Sequence, residues 1–315
     1  MHYWIACLVL MMGLSVAASA QEAGDAATAP TGPGEAYGVR YAKRKLVMPR
    51  GMIRGTFDVV VGDIDGARTT TINLGVAVAP ANHIEFGISR YRMGSFPNPD
   101  VLRAFGGDGL VPIIAQGADL IPLGATNERR FGDLLAYMRA EAVAGSIASI
   151  AFDLGFLLPT ASELGLFIGL PMRFHGGDVF AFDTGIQVNV DNLGGDGGGV
   201  TSIALPWNAV FNATDALFIM VNSGLNAADV GGGGGALKTF PFGFGAGYTV
   251  VGPRTMADVF ALFSWPVFGI IDPGDVVTDV WTVTIGVNFY SPVLFGSKQD
   301  KRRADRRPRG SIAPK

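Results

Sequence analysis

Tyr137, Arg139 and Glu141 occupy alternate positions of one segment, and Asp153, Arg173 and Asp183 fall on the corresponding rows of the segments that follow. Between them lie mostly small residues. Ionisable groups held inside an apolar medium are costly unless paired or wet, so such a row marks either a solute path or the bracing of a filled interior. As a selectivity site, Arg139 and Arg173 would favour anions. As bracing, acids and bases would neutralise one another across neighbouring strands. Counting back from the Ala144-Gly145 turn sets Tyr137 opposite Asp153, with Arg139 and Glu141 just below.

Other residues capable of chemistry point away from catalysis. Beyond residue 20 the only histidines are His83 and His175, and the single cysteine, Cys7, lies before it. The runs Gly194-Gly195-Asp196-Gly197-Gly198-Gly199 and Gly231 to Gly235 look superficially like phosphate or calcium loops. Neither opens a helix after a strand, and neither gathers enough oxygen ligands, so both read as surface loops. Gly243, Gly245 and Gly247 recur at period two and form one face of a strand. The expectation is no enzyme, no metal and no cofactor.

The elements that position these residues are strands. From Glu163 to Phe174 every second residue, Leu164 to Phe174, is apolar, while Glu163, Gly165, Phe167, Gly169, Pro171 and Arg173 form the other row. That alternation gives a strand with two unlike faces. It recurs between Ile53 and Tyr290 in about twelve segments, with short connections such as Ala79 to Asn82 and Val251 to Arg254 alternating with longer ones. Pro171, Pro206 and Pro241 are equally spaced and lie on the inward rows. Lacking an N–H, each should mark a bulge or a kink.

Composition narrows the class. The chain has 315 residues, 49% hydrophobic and only 16% charged, with 45 glycines and a net charge of −3. Past residue 20 no apolar run is long enough for a membrane-spanning helix, so the apolar surface is spread along strands. Residues 1–20 read as a signal peptide: an apolar run from Tyr3 to Ala17, then Ala18-Ser19-Ala20, although no Lys or Arg precedes the run. The mature chain would begin at Gln21 and carry no thiol. Residues 21–51 read as a periplasmic linker that is either flexible or plugs the barrel, 52–292 as the barrel, and 293–315 as a basic tail. That tail reads first as a solvated terminus, with an anionic periplasmic partner as the alternative.

The last strand carries a resemblance. Trp281, Val283, Ile285, Val287 and Phe289 face one way and Thr282, Thr284, Gly286, Asn288 and Tyr290 the other. This resembles the C-terminal strand by which bacterial outer-membrane β-barrels are recognised for assembly, except that here a tail follows it. The resemblance implies an all-β fold, an antiparallel transmembrane barrel of about twelve strands, with both termini in the periplasm. A polar face that is small and neutral, rather than studded with Lys and Glu, agrees with it, and Trp207, Trp265 and Trp281 suit a lipid-facing wall. Outer-membrane phospholipases share the strand number and act through a histidine and a serine near the outer rim. Both histidines here fall at the short-turn end, which argues against that chemistry.

Between Ser95 and Asn127, Asp100, Arg103, Asp108 and Asp119 accompany an apolar stretch that includes Leu110, Ile113 and Ile121. So long a connection reads as a constriction loop folded into the barrel mouth. The functional expectation is therefore a narrow channel or transporter for small solutes. The rival is a closed structural or adhesive barrel that binds through its outer loops. The expected partners are outer-membrane lipids, lipopolysaccharide and a small solute, with no nucleic acid.

Overall fold

A computed structural model describes residues 33–64, 67–90, 121–122, 134–158, 164–191, 200–228, 230, 237–271 and 274–294. Among these, twelve long strands form one closed antiparallel barrel. They are β1 (Ile53–Ile64), β2 (Ala67–Ala81), β3 (Ile84–Arg90), β4 (Leu134–Ala144), β5 (Ala148–Leu158) and β6 (Gly165–Gly176). The ring continues through β7 (Phe180–Asp191), β8 (Val200–Asn212), β9 (Leu217–Ala228), β10 (Leu237–Val251), β11 (Met256–Ile270) and β12 (Trp281–Tyr290). Each pairs with the next, and β1 closes on β12 from Arg54 opposite Tyr290 to Asp63 opposite Trp281. Two-residue strands, Ile121–Pro122 and Asp275–Val276, add to β2 and β11.

Alternation decides which side chain faces where, and the exposed side is the apolar one. Along β6 and just before it, Leu164, Ile168, Leu170 and Phe174 are exposed, while Phe167 and Arg173 are buried. Phe57, Phe86, Phe152, Ile186, Phe211, Val259 and Ile285 continue the exposed apolar wall around the ring. Inside lie arginines, carboxylates, amides and hydroxyls. A soluble sheet wets its polar face and hides its apolar one; this sheet does the reverse, as a wall against lipid must. Phe263 meets Trp265 edge-on at 4.5 Å, and Phe242 stacks on the same indole at 6.1 Å, so aromatic rings gather on the outer face of β10 and β11. No helix of the described residues is long and apolar enough to cross a membrane; the crossing is made by strands.

The prolines meet the expectation of a bulge or kink only in part. Pro171 pairs regularly with Gly185, and Pro206 with Gly224. On its other side each interrupts a ladder. The β5–β6 pairing passes from Ile150–Met172 to Asp153–Gly169, skipping Pro171. The β7–β8 pairing skips Pro206 between Asp183–Asn208 and Gln187–Ala204, and the β9–β10 pairing skips Pro241 between Ser223–Phe242 and Asn226–Thr239. A strand residue directs its N–H toward one neighbour only, so a missing N–H breaks one ladder and spares the other. Pro241 alone is skipped on both sides: the β10–β11 pairing also passes it by, with a register shift between Phe240 and Phe242. Gly224 fits opposite Pro206 because it has no side chain: a Cβ there would lie 2.7 Å from the Leu205 carbonyl oxygen.

Candidate functional site

The short-turn end of the lumen is filled by the chain's own N-terminal segment. Of residues 21–51, the described part starts at Pro33, and it packs inside the barrel, which takes the plugging expectation for this segment over the flexible one. A five-residue helix, Pro33–Tyr37, ends at Gly38, whose φ of 93° suits glycine, and a 3-10 turn follows at Tyr41–Lys43. Its apolar residues are spaced to meet the wall on more than one side. Tyr41 packs with Val210, Phe218, Met220, Phe260 and Leu262, its ring stacked 4.8 Å from that of Phe218. Tyr37, Met48 and Met52 pack with Ala77, Ala79, Met256 and Tyr290. At Gly51, φ 85°, the chain turns into β1, and the Gly51 N–H donates to the Ala79 carbonyl at 2.7 Å.

Arg44 anchors this plug. Its guanidinium donates both terminal nitrogens to the Asp258 carboxylate, Nη2 to Oδ1 at 2.9 Å, while Nε donates to the Gly38 carbonyl at 3.0 Å. The same carboxylate accepts from the Tyr290 hydroxyl at 2.9 Å and the Thr249 hydroxyl at 2.8 Å. Tyr37, Tyr41 and Tyr290 place their rings 5.1 to 5.5 Å from the guanidinium carbon, within cation–π range. A buried charge with this many partners is held, and removing either member strands the other.

The plug backbone is gripped as well. Arg173 Nη1 donates to the Arg44 carbonyl at 2.8 Å, Arg139 Nη1 to the Leu46 carbonyl at 3.3 Å, and His175 Nδ1 to the Ala42 carbonyl at 2.8 Å. The Ala42 N–H donates to Asn212 Oδ1 at 2.8 Å. At the rim, Lys43 Nζ lies 2.7 Å from Asp178, and Arg40 Nε donates to Asp215 at 2.7 Å. The Lys43 hydrogen bond holds the Asp178 carboxyl below the usual carboxylate value.

Four of the six lumen candidates pair in twos. Arg139 donates Nε and Nη2 to Asp153 at 2.7 and 2.8 Å, and Arg173 donates the same two atoms to Asp183 at 2.6 and 2.8 Å. The expected register is corrected by two residues: Asp153 lies opposite Arg139, and Tyr137 lies opposite Gly155. The cause is the position of the turn: Ala144 pairs with Ser149, so the connection lies beyond Ala144-Gly145, and the irregularity between Glu141 and Val143 takes back only one residue of that offset. Tyr137 donates its hydroxyl to Glu85 Oε1 at 2.8 Å, which also accepts from Arg54 Nη2 at 2.8 Å, and Glu141 Oε2 lies 3.1 Å from His83 Nδ1. Asp100, Arg103, Asp108 and Asp119 lie outside the described residues. Of their loop only Ile121–Pro122 is described, pairing with Ile72 and Thr71.

Arg44, Arg54, Glu85 and Asp258 were not foreseen, although row parity places Arg54, Glu85 and Asp258 inward. Among the described residues, four arginines and six carboxylates are buried inside, the latter Asp58, Glu85, Glu141, Asp153, Asp183 and Asp258. Among the described residues no three His, Cys, Asp or Glu are grouped to hold a metal ion.

No protein-family model matches the chain, and no curated protein matches it. Solved structures of similar architecture include the NanC porin, at 9% identity with a TM-score of 0.47, covering 74% of this chain and 98% of that one. The translocator domain of the autotransporter NalP from Neisseria meningitidis is 9% identical with a TM-score of 0.38, covering 76% of this chain and 86% of that one. The CymD monoaromatic hydrocarbon channel is 9% identical with a TM-score of 0.37, covering 84% and 97%. The assignment as a transmembrane barrel rests on strand closure and the apolar outer wall, not on these likenesses.

Proposed function

We propose that the protein is a narrow channel or transporter for small solutes in the bacterial outer membrane, held shut at its short-turn end by residues 33–52. The observation that carries this reading is the plug itself. A twelve-stranded wall encloses a bore between those of filled eight-stranded barrels and open sixteen-stranded ones, and here a separate segment occupies its lower half. That segment is held by side chains of the wall binding its carbonyls and its one deeply buried arginine. These are polar contacts, replaceable by water or by a solute once the segment moves. Among the described residues, six buried carboxylates against four buried arginines favour cations and neutral molecules over anions.

The rival reading, a closed structural or adhesive barrel, gains from the completeness of the same packing: Arg54, Arg139 and Asp153 are 0% exposed. Planar-bilayer conductance separates the two. The full chain should conduct little, and deletion of residues 33–48 should produce defined opening steps while the barrel stays heat-modifiable on gels. A folded deletion variant that conducts nothing would leave the closed reading standing.

A further inference from the structure

Above the plug the lumen changes chemistry. Gln187 and Asn189 on β7, Asn226 on β9 and Thr239 on β10 all face inward and are 0%, 0%, 2% and 1% exposed. The ladders bring them together. Gln187 lies opposite Ala204, Ala204 opposite Asn226, and Asn226 opposite Thr239, so three of the four share one row across β7 to β10. Asn189, two residues further along β7, lies opposite Ser202. The small Ala204 and Gly169, the latter opposite Gln187, add no bulk to this row.

These polar groups are underused. Gln187 Nε2 approaches Asn189 Oδ1 at 3.5 Å, but Gln187 Oε1, Asn189 Nδ2, Asn226 Nδ2 and Thr239 Oγ1 have no hydrogen-bond partner. A buried polar atom left unpaired is destabilising, so four in one patch is a cost that a hydrogen-bonding occupant would remove. Beside them lies Phe167, opposite Asn189, with its ring 3.3 Å from where a Cβ on Gly169 would be. Amides and a hydroxyl next to an aromatic wall are the elements of a small-molecule site.

We propose that Gln187, Asn189, Asn226 and Thr239, with Phe167 as the apolar wall, form a recognition site for a neutral polyhydroxylated solute, a sugar or polyol. The chemistry selects that class. Unpartnered amide N–H groups and an unpartnered amide oxygen occur together, and a solute hydroxyl both donates and accepts, so it satisfies either. A carboxylate would meet the Gln187 oxygen unfavourably, an ammonium would meet the amide donors, and a hydrocarbon would leave all four atoms unpaired. None of the four is ionisable. The site deepens the channel reading by naming a cargo, yet it binds whether or not flux occurs.

The test is equilibrium dialysis of radiolabelled D-glucose and sorbitol against the full-length barrel in detergent, where both ends are accessible, with acetate and lysine as comparison solutes. Saturable binding of glucose or sorbitol, absent for the charged pair, is the expected result. Gln187→Leu combined with Asn226→Leu should weaken it about tenfold or more, since two hydrogen-bonding groups are lost. That variant should still fold, because it removes unpaired polar atoms and gives up only the long Gln187–Asn189 contact. Phe167→Ala supplies a second reading of the same site and should also weaken binding. No saturable binding by the wild type, equal binding of acetate or lysine, or unchanged binding in both folded variants overturns the site. Saturable binding without solute flux in liposomes would instead remove the channel reading and leave the site intact.

Discussion

Arg173 and Gln187 face the same lumen from adjacent strands, yet their polar atoms are treated in opposite ways. Arg173 directs two nitrogens at Asp183 and a third at the plug carbonyl of Arg44, whereas the Gln187 oxygen has no partner at all. The contrast is clearest along β6 to β10, since Asn288, opposite Asp258, is unpartnered near the anchor as well. Below, ion pairs and backbone carbonyls close the interior upon a segment of the same chain. Above, neutral amides stay unpaired beside small residues. One half is built to hold something already present, and the other retains the capacity to bind.

The largest test of this contrast is Arg44→Ala. It leaves the Asp258 carboxylate buried without its cation, which costs about 3–5 kcal/mol. The expected outcome is a lower midpoint in the heat-modifiability transition together with raised conductance from the freed segment. Removing both charges, as in Arg44→Met with Asp258→Leu, should recover most of the stability but not the closure.

Arg139→Ala and Arg173→Ala come next. Each strips a bidentate partner from a carboxylate and a donor from the plug, and each should move the reversal potential in a salt gradient toward cation selectivity. If the barrel loses its fold with no change of selectivity, these residues are bracing only. Smaller still is Asn288→Leu, since both side-chain atoms of Asn288 are buried and unpartnered. Its effect on the midpoint should stay within about 1 kcal/mol of neutral and on the stabilising side, if the leucine packs.

The smallest effect is expected at the rim. Because the folded pKa of Asp178 lies below the ordinary 3.8, its contribution is fully present above the unfolded value and is lost only as pH falls through the lowered one. Plug closure should therefore be insensitive to this group from about pH 5 to 8, and Asp178→Asn should be indistinguishable from wild type in conductance over that range. A current that rose steadily with acidification across that range in the wild type alone would show the rim to matter more than the buried anchor.

Much of the wall was legible because period-two alternation is a local property. Leu164, Ile168 and Leu170 face out because each neighbour faces in, and reading any stretch of strand is enough to see it. Register was less legible: the turn lies beyond Ala144, which pairs with Ser149, and this displaced the Tyr137–Asp153 pairing by two residues, an error no alternation count can detect. The plug anchor was harder again. Lys43, Arg44 and Lys45 look like one basic cluster, but Lys43 reaches the rim while Arg44 is buried against Asp258, more than two hundred positions away along the chain. Such a pairing exists only once the barrel has closed. The unpaired amides left no mark in the sequence either, because Gln and Asn on an inward row are what any polar lumen would show.

The one-sided gaps at Pro171 and Pro206 bear on how the wall comes apart. Across β6–β7 and β8–β9, each joined by a short turn, the pairing runs unbroken through Pro171 and Pro206; the ladders that join these hairpins to their neighbours are the ones with missing links. From β6 to β9 the wall is thus two intact hairpins stitched along weaker seams. Pulled from one terminus by a cantilever, it should yield in steps of two strands, with force peaks at the hairpins and little resistance at the seams between them.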